Sequence, residues 1–103
     1  MKFGLKQLHI NAINCIFSQY PEIVMVIIYG SRAKGTFRKG SDIDLTLIEN
    51  KLTFSQLMEI ENKIDDLLLP YKIDLSQKRK ISDPELINHI NRCGLEFYRR
   101  ENG

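Results

Sequence analysis

Within GSRAKGTFRKGSDIDLTL, residues 30–47, a Gly30-Ser31 pair precedes two carboxylates, Asp42 and Asp44, with one residue between them. A third carboxylate, Asp74, lies further along in YKIDLS. Carboxylates gathered on one surface repel each other unless a cation joins them. Mg²⁺ suits such a set, because it takes oxygen ligands and keeps positions for waters and substrate phosphates. Two such ions about 3.5–4 Å apart activate an attacking hydroxyl and stabilise a leaving pyrophosphate. A glycine-serine turn complements that chemistry. Glycine lets a phosphate approach the backbone, while backbone N–H groups and a serine hydroxyl donate to it. Arg32 and Lys34 put cations beside the turn. Arg38 and Lys39 lie further along and read as solvated loop charges.

Each feature alone has a plainer reading. Asp-x-Asp is also the solvated side of a half-buried strand, and Gly-Ser is also an ordinary strand-ending turn. Two commoner phosphate motifs are absent: Thr36 stands where a Walker A loop has its lysine, and there is no G-x-G-x-x-G.

The elements that must position these residues follow from periodicity. Leu5, Leu8, Ala12, Ile13, Ile16 and Phe17 recur at helical spacing before Pro21. Ile23 to Tyr29 is a β-branched run that reads as a strand buried on both faces. Residues 35–41 read as loop. Ile43 to Ile48 reads as a second strand, and Leu57, Ile60, Ile64, Leu67 and Leu68 mark a second helix. Thr53 and Gln56 stand at capping-box spacing for that helix, and Pro70 ends it. Tyr71 to Ser76 reads as a third strand. Asp83 and Pro84 suit the N-cap and first position of a third helix, with Leu86, Ile87, Ile90, Phe97 and Tyr98 as its apolar stripe. Short basic runs, Lys78-Arg79-Lys80 and Arg99-Arg100, read as solvated loop and tail.

The expected architecture is an α/β (α+β) layer structure: a short three-stranded mixed sheet with helices packed mainly on one face. The helix between the second and third strands favours a parallel, right-handed crossover. The pairing of the first two strands is left open. Strand alternation then places Asp42, Asp44 and Thr46 on one face of the second strand. Lys72, Asp74 and Ser76 share one face of the third. If those strands are neighbours, the three aspartates converge on the face away from the apolar layer.

The spacing of Gly30-Ser31, ten residues, then Asp42-Ile43-Asp44 resembles the G-S-x10-D-x-D pattern of the DNA polymerase beta superfamily of nucleotidyltransferases. Asp74 fits that superfamily's third carboxylate. Nearly the whole chain is similar to the minimal nucleotidyltransferase (MNT) branch, the antitoxin half of MNT/HEPN toxin–antitoxin modules. The resemblance implies the nucleotidyltransferase fold, in one domain over residues 1–103. It implies that Asp42, Asp44 and Asp74 are the catalytic and metal-binding residues, holding two Mg²⁺ ions, with Asp74 helping to activate the acceptor. It implies that Gly30, Ser31, Arg32 and Lys34 bind the phosphates of ATP. The implied reaction moves AMP from ATP to a hydroxyl, a tyrosine of a HEPN-type helical protein encoded by an adjacent gene. Two other readings stay open. One is an antitoxin that neutralises such a partner by complex formation; the other is a small-molecule nucleotidyltransferase. A second copy of this chain is a further possible partner.

Composition bounds these expectations. A chain of 103 residues with 43% hydrophobic and 27% charged content is an ordinary globular protein. A net charge of +2 gives no support to direct nucleic-acid binding. The longest apolar run, Ile23 to Tyr29, is too short to span a bilayer, and the N-terminal residues lack a signal peptide's apolar core. With Cys15 and Cys93 read as reduced, buried thiols, the expected location is the cytoplasm. His9, His89 and Tyr29 read as packing or surface residues.

Overall fold

A computed structural model describes residues 1–101, leaving Asn102 and Gly103 of the charged tail outside the described residues. In chain order the elements are α1 (Gln7–Ser18), β1 (Ile23–Tyr29), α2 (Ser31–Lys34), β2 (Ile43–Glu49), α3 (Phe54–Asp65), β3 (Ile73–Gln77), α4 (Pro84–Cys93) and β4 (Leu95–Arg99). A 3₁₀ turn at Lys78–Lys80 follows β3. The four strands form one mixed sheet in the order β3-β2-β1-β4. β1 is antiparallel to both β2 and β4, while β2 and β3 run parallel.

The sheet therefore has four strands, and not the three expected from sequence. Phe97 and Tyr98 continue the stripe of α4 in spacing, but they belong to β4. α4 stops at Gly94, and its cramped position favours a residue without a side chain: a Cβ there would come within 2.4 Å of the Ile90 carbonyl oxygen and 2.6 Å of Ile27 Cγ2. Beyond the glycine the chain pairs with the otherwise unpaired side of β1, where Val26 is matched to Tyr98 and Ile28 to Leu95. Sheet hydrogen bonding overrides helical spacing here.

One face of the sheet carries the core. Val26, Ile28, Ile43, Leu45 and Leu47 pack with Ile13, Ile16 and Phe17 of α1 and with Leu57, Ile60 and Ile64 of α3. The stripe on α1 differs from expectation at Leu8, which is 73% exposed, whereas Ile10 is buried. β1 is also not buried on both faces, since Val24 is 49% exposed. The capping box of α3 is present: Gln56 N–H donates to Thr53 Oγ1 at 3.1 Å, and Thr53 N–H donates to Gln56 Oε1 at 2.9 Å. Asp83 caps α4, its carboxylate accepting from Glu85 N–H at 3.0 Å with Pro84 in the first turn. α3 ends before Leu67 and Leu68, and Leu68 takes a left-handed backbone with φ 54°. Neither cysteine is fully buried: Cys15 is exposed and Cys93 half-buried, both as free thiols. No helix among the described residues is long and apolar enough to cross a membrane.

Because Phe97 is buried and its ring stacks at 6.0 Å from that of Phe3, β4 is part of the core rather than a surface appendage. Phe97→Ala is expected to cost about 3–5 kcal/mol in urea unfolding, the usual range for emptying an aromatic core site. A loss under about 1 kcal/mol would mean that β4 adds little to the fold.

Candidate active site

The parallel β2–β3 register sets Asp44 directly beside Asp74 and Thr46 beside Ser76. The Ser76 hydroxyl lies 2.9 Å from Thr46 Oγ1, so these side chains share one face. With a period of two, Asp44 and Asp74 share it as well. On the other side of β2, Tyr29 is opposite Asp44. A row of Tyr29, Asp44 and Asp74 thus crosses three strands on the face away from α1 and α3. Asp74 and Asp42 are exposed and Asp44 is half-buried.

This crowding shows in the acidity of the groups. The Asp44 carboxyl is held above its ordinary value, first by burial and then by the charges of Asp74 and Asp42. His89, when charged, works the other way. The Tyr29 hydroxyl is also raised, chiefly by burial, with a hydrogen bond to Ser76 opposing and the charges of Asp74 and Asp44 reinforcing. No group of three or more His, Cys, Asp or Glu side chains among the described residues is placed to hold a metal ion as it stands. The donor set is nonetheless all carboxylate oxygen with neighbouring hydroxyls. That chemistry fits Mg²⁺, which is held through one or two carboxylates plus phosphate and water.

Gly30 joins the turn to the carboxylates. Its φ of 77° with ψ of −155° is a conformation that suits only glycine. A Cβ there would stand 2.4 Å from Asp44 Oδ2, so Asp44 lies directly against the bare backbone. Ser31 opens the single turn of α2, and Gly35, left-handed at φ 80°, closes it. Ser31 is half-buried and Lys34 exposed.

Two residues have roles that their positions in the sequence did not reveal. Arg32, expected beside phosphate, is 3% exposed and turned inward. Its Nε and Nη2 donate to the Ser41 carbonyl at 3.1 and 2.8 Å, and Nη1 donates to the Phe3 carbonyl at 3.0 Å. The rings of Phe37 and Tyr71 flank the guanidinium at 5.2 and 5.0 Å. Arg32 therefore straps the loop before Asp42 to the body of the protein, and a phosphate contact is not its geometry here. His89, on α4, accepts a hydrogen bond from Gly30 N–H at Nε2, 3.0 Å away, which needs the lone pair of a neutral ring nitrogen. Its ring stands edge-on to Tyr29 at 6.1 Å. The Gly30 amide is thus occupied, leaving Ser31 as the free donor of the pair. A histidine in the middle of an amphipathic helix gives no signal of such a contact in the sequence.

The polymerase beta nucleotidyltransferase family model matches residues 11–102. The chain belongs to that family. Among curated proteins, none matches it. Solved structures similar to this nucleotidyltransferase include MntA–HepT-type toxin–antitoxin complexes. One, a toxin–antitoxin with AMP-PNP, has 21% identity and a TM-score of 0.70 over 94% of this chain and 76% of that chain. Another, a tri-AMPylated Shewanella oneidensis HEPN toxin in complex with MNT antitoxin, has 20% identity and a TM-score of 0.67 over 93% and 74%. A third is a putative nucleotidyltransferase from Sulfolobus solfataricus, with 19% identity and a TM-score of 0.58 over 94% and 82%. At these identities the likeness is one of fold.

Two measurements probe the site without any substrate. For an acid raised above 3.8 on folding, the folded state binds the extra proton, so stability falls as pH climbs through the raised value. Asp44→Asn removes that loss. It is expected to melt higher than the parent at pH 7 without divalent ions, with the advantage shrinking toward pH 4. An unchanged or lower melting point at pH 7 would show that Asp44 is not under charge strain. Arg32→Lys keeps the charge but cannot serve both carbonyls from one plane. It is expected to lose about 2 kcal/mol in denaturant unfolding. An unperturbed stability would return Arg32 to the ligand side of the site.

Proposed function

We propose that this chain is a Mg²⁺-dependent adenylyltransferase that moves AMP from ATP onto a hydroxyl, a tyrosine of a HEPN-type partner protein encoded beside it, and so acts as an antitoxin. The observation that carries this reading is the Asp44–Asp74 pair on adjacent parallel strands, with the Gly30-Ser31 turn packed directly against Asp44. The MNT antitoxin neighbours, seen with AMP-PNP or beside a tri-AMPylated HEPN toxin, support the choice of nucleotide and partner.

Asp42, Asp44 and Asp74 would hold two Mg²⁺ ions, whose charge neutralises the triphosphate and the departing pyrophosphate. The Ser31 hydroxyl and the turn backbone orient the terminal phosphates, and exposed Lys34 adds charge beside them. Asp74 is exposed next to Asp44 and is free to accept the proton of the incoming hydroxyl. The hydroxyl oxygen bonds to the α-phosphorus, the bond from that phosphorus to the bridging oxygen breaks, and pyrophosphate leaves. Little covalent work falls to the protein; position and charge neutralisation lower the barrier.

Incubation with α-labelled ATP, Mg²⁺ and the product of the adjacent gene is expected to label that product. The Asp42→Asn/Asp44→Asn double variant is expected to lose at least about a thousandfold in rate, the scale of removing the charge-stabilising groups. Label that persists in the double variant sinks the assignment of these carboxylates. No label with the parent protein, but continued inhibition of the partner, favours neutralisation by complex formation alone.

A further inference from the structure

We propose that the free edge of β3 takes up an extended protein segment as an added strand, and that this segment carries the acceptor hydroxyl between two apolar residues with a basic residue nearby. The hydroxyl's role rests on the adenylyl-transfer reading; the docking does not.

β3 is the outermost strand on its side of the sheet. Ile43 N–H donates to the Lys72 carbonyl at 2.8 Å. Peptide groups alternate along a parallel ladder, so the N–H and C=O groups of Ile73 and Leu75 point away from β2. Such an edge is a template for another strand. Two adjoining cavities of about 160 and 460 Å³ run beside it and share Ile64, Asp65 and Ile73. Asp74 and Leu75 line the smaller one. Leu68, 88% exposed, and Tyr71 line the larger one. A groove with an apolar wall therefore runs along the strand edge that carries Asp74 on its opposite face.

Strand alternation fixes what would fit. Ile73 and Leu75 face the side of α3, and Asp74 faces the other side. On an added strand, the residues opposite Ile73 and Leu75 enter the groove beneath α3. The residue opposite Asp74 lies on the face of Asp74 and Asp44. The segment is thus apolar, hydroxyl, apolar in consecutive positions. Its charge follows from the lining, where Glu61, Asp65 and Asp74 outnumber Lys72. The same imbalance argues against a second copy of this chain at the edge, which would bring acidic lining against acidic lining.

The test is an NMR titration of the full chain, first without ATP or Mg²⁺, with three synthetic peptides. One has the order Lys-Leu-Tyr-Leu-Lys, one is the same peptide N-methylated at the tyrosine and both leucines, which removes the edge-facing donors of either strand orientation, and one has its tyrosine moved by a single position. The first is expected to shift the amides of Ile73 and Leu75 and to bind about tenfold tighter than the N-methylated form. Leu68→Asn suits the left-handed backbone at φ 54° while removing the apolar wall. It is expected to keep or raise the melting point and weaken the first peptide about tenfold. The inference is overturned by no saturable shift, by equal binding of the N-methylated peptide, by full binding to Leu68→Asn, or by peptide-independent dimerisation through β3. Adding ATP and Mg²⁺ separates the two readings. Docking at β3 without AMP transfer refutes the transferase reading and leaves the edge assigned. Equal transfer to the displaced tyrosine refutes the register.

Discussion

Like charges on neighbouring strands are the constraint around which this site is arranged. The parallel register of β2 and β3 fixes the backbones of Asp44 and Asp74 side by side, and the charges of Asp74 and Asp42 both add to the burial that raises Asp44. The same strands bury Ile43, Leu45 and Leu47 on their other face. Slipping the register by one residue would turn that apolar set outward. Core burial therefore fixes Asp44 beside Asp74, where desolvation and its neighbours' charges disfavour the ionised Asp44. A site under that tension at rest is disposed to take up positive charge, because binding a cation relieves a repulsion already present.

The turn at Gly30 couples to the same tension. Asp44 is packed against a backbone without a side chain, and the adjacent amide is held by His89 from α4. α4 thereby reaches the face opposite to α1 and α3, touching the site at one point through a single ring. Arg32 works from below the loop. Its three hydrogen bonds to carbonyls anchor Ser41, the residue before Asp42, so the approach of the chain to the carboxylates is fixed. A buried guanidinium between two aromatic rings is a costly anchor. Its cost is offset by three hydrogen bonds to carbonyls, and it leaves the exposed Lys34 as the cation beside the turn.

The carboxylate face was legible because period two is a strong local rule and both strands lie near their expected places. Asp44, Thr46, Asp74 and Ser76 share a face as that rule requires. The caps at Thr53 and Asp83 were legible for the same reason, as short-range hydrogen bonding needs only neighbours in sequence. What could not be read depends on partners far along the chain. Arg32 owes its orientation to Phe3, Phe37 and Tyr71. β4 owes its existence to the unpaired side of β1, distant in sequence, and the spacing of Phe97 and Tyr98 suited a helix equally well. His89 is one residue of an amphipathic helix until Gly30 is placed beneath it.

β4 and β3 give the sheet unequal edges. β1 is central because β4 closes its outer side, with Phe97 tucked into the core and Asn14 of α1 donating to the Phe97 carbonyl at 3.2 Å. No such cover reaches β3 among the described residues, although β3 bears one of the three carboxylates. A sheet that needed only stability would gain from covering both edges, since an open strand invites unwanted pairing. Leaving the open edge beside Asp74 rather than beside β1 keeps the approach to the carboxylates clear. The closing strand also holds β1 rigid where it delivers Gly30 to the turn. Stability is thus concentrated on the side that positions the Gly30-Ser31 turn, and the open edge lies on the side of Asp74.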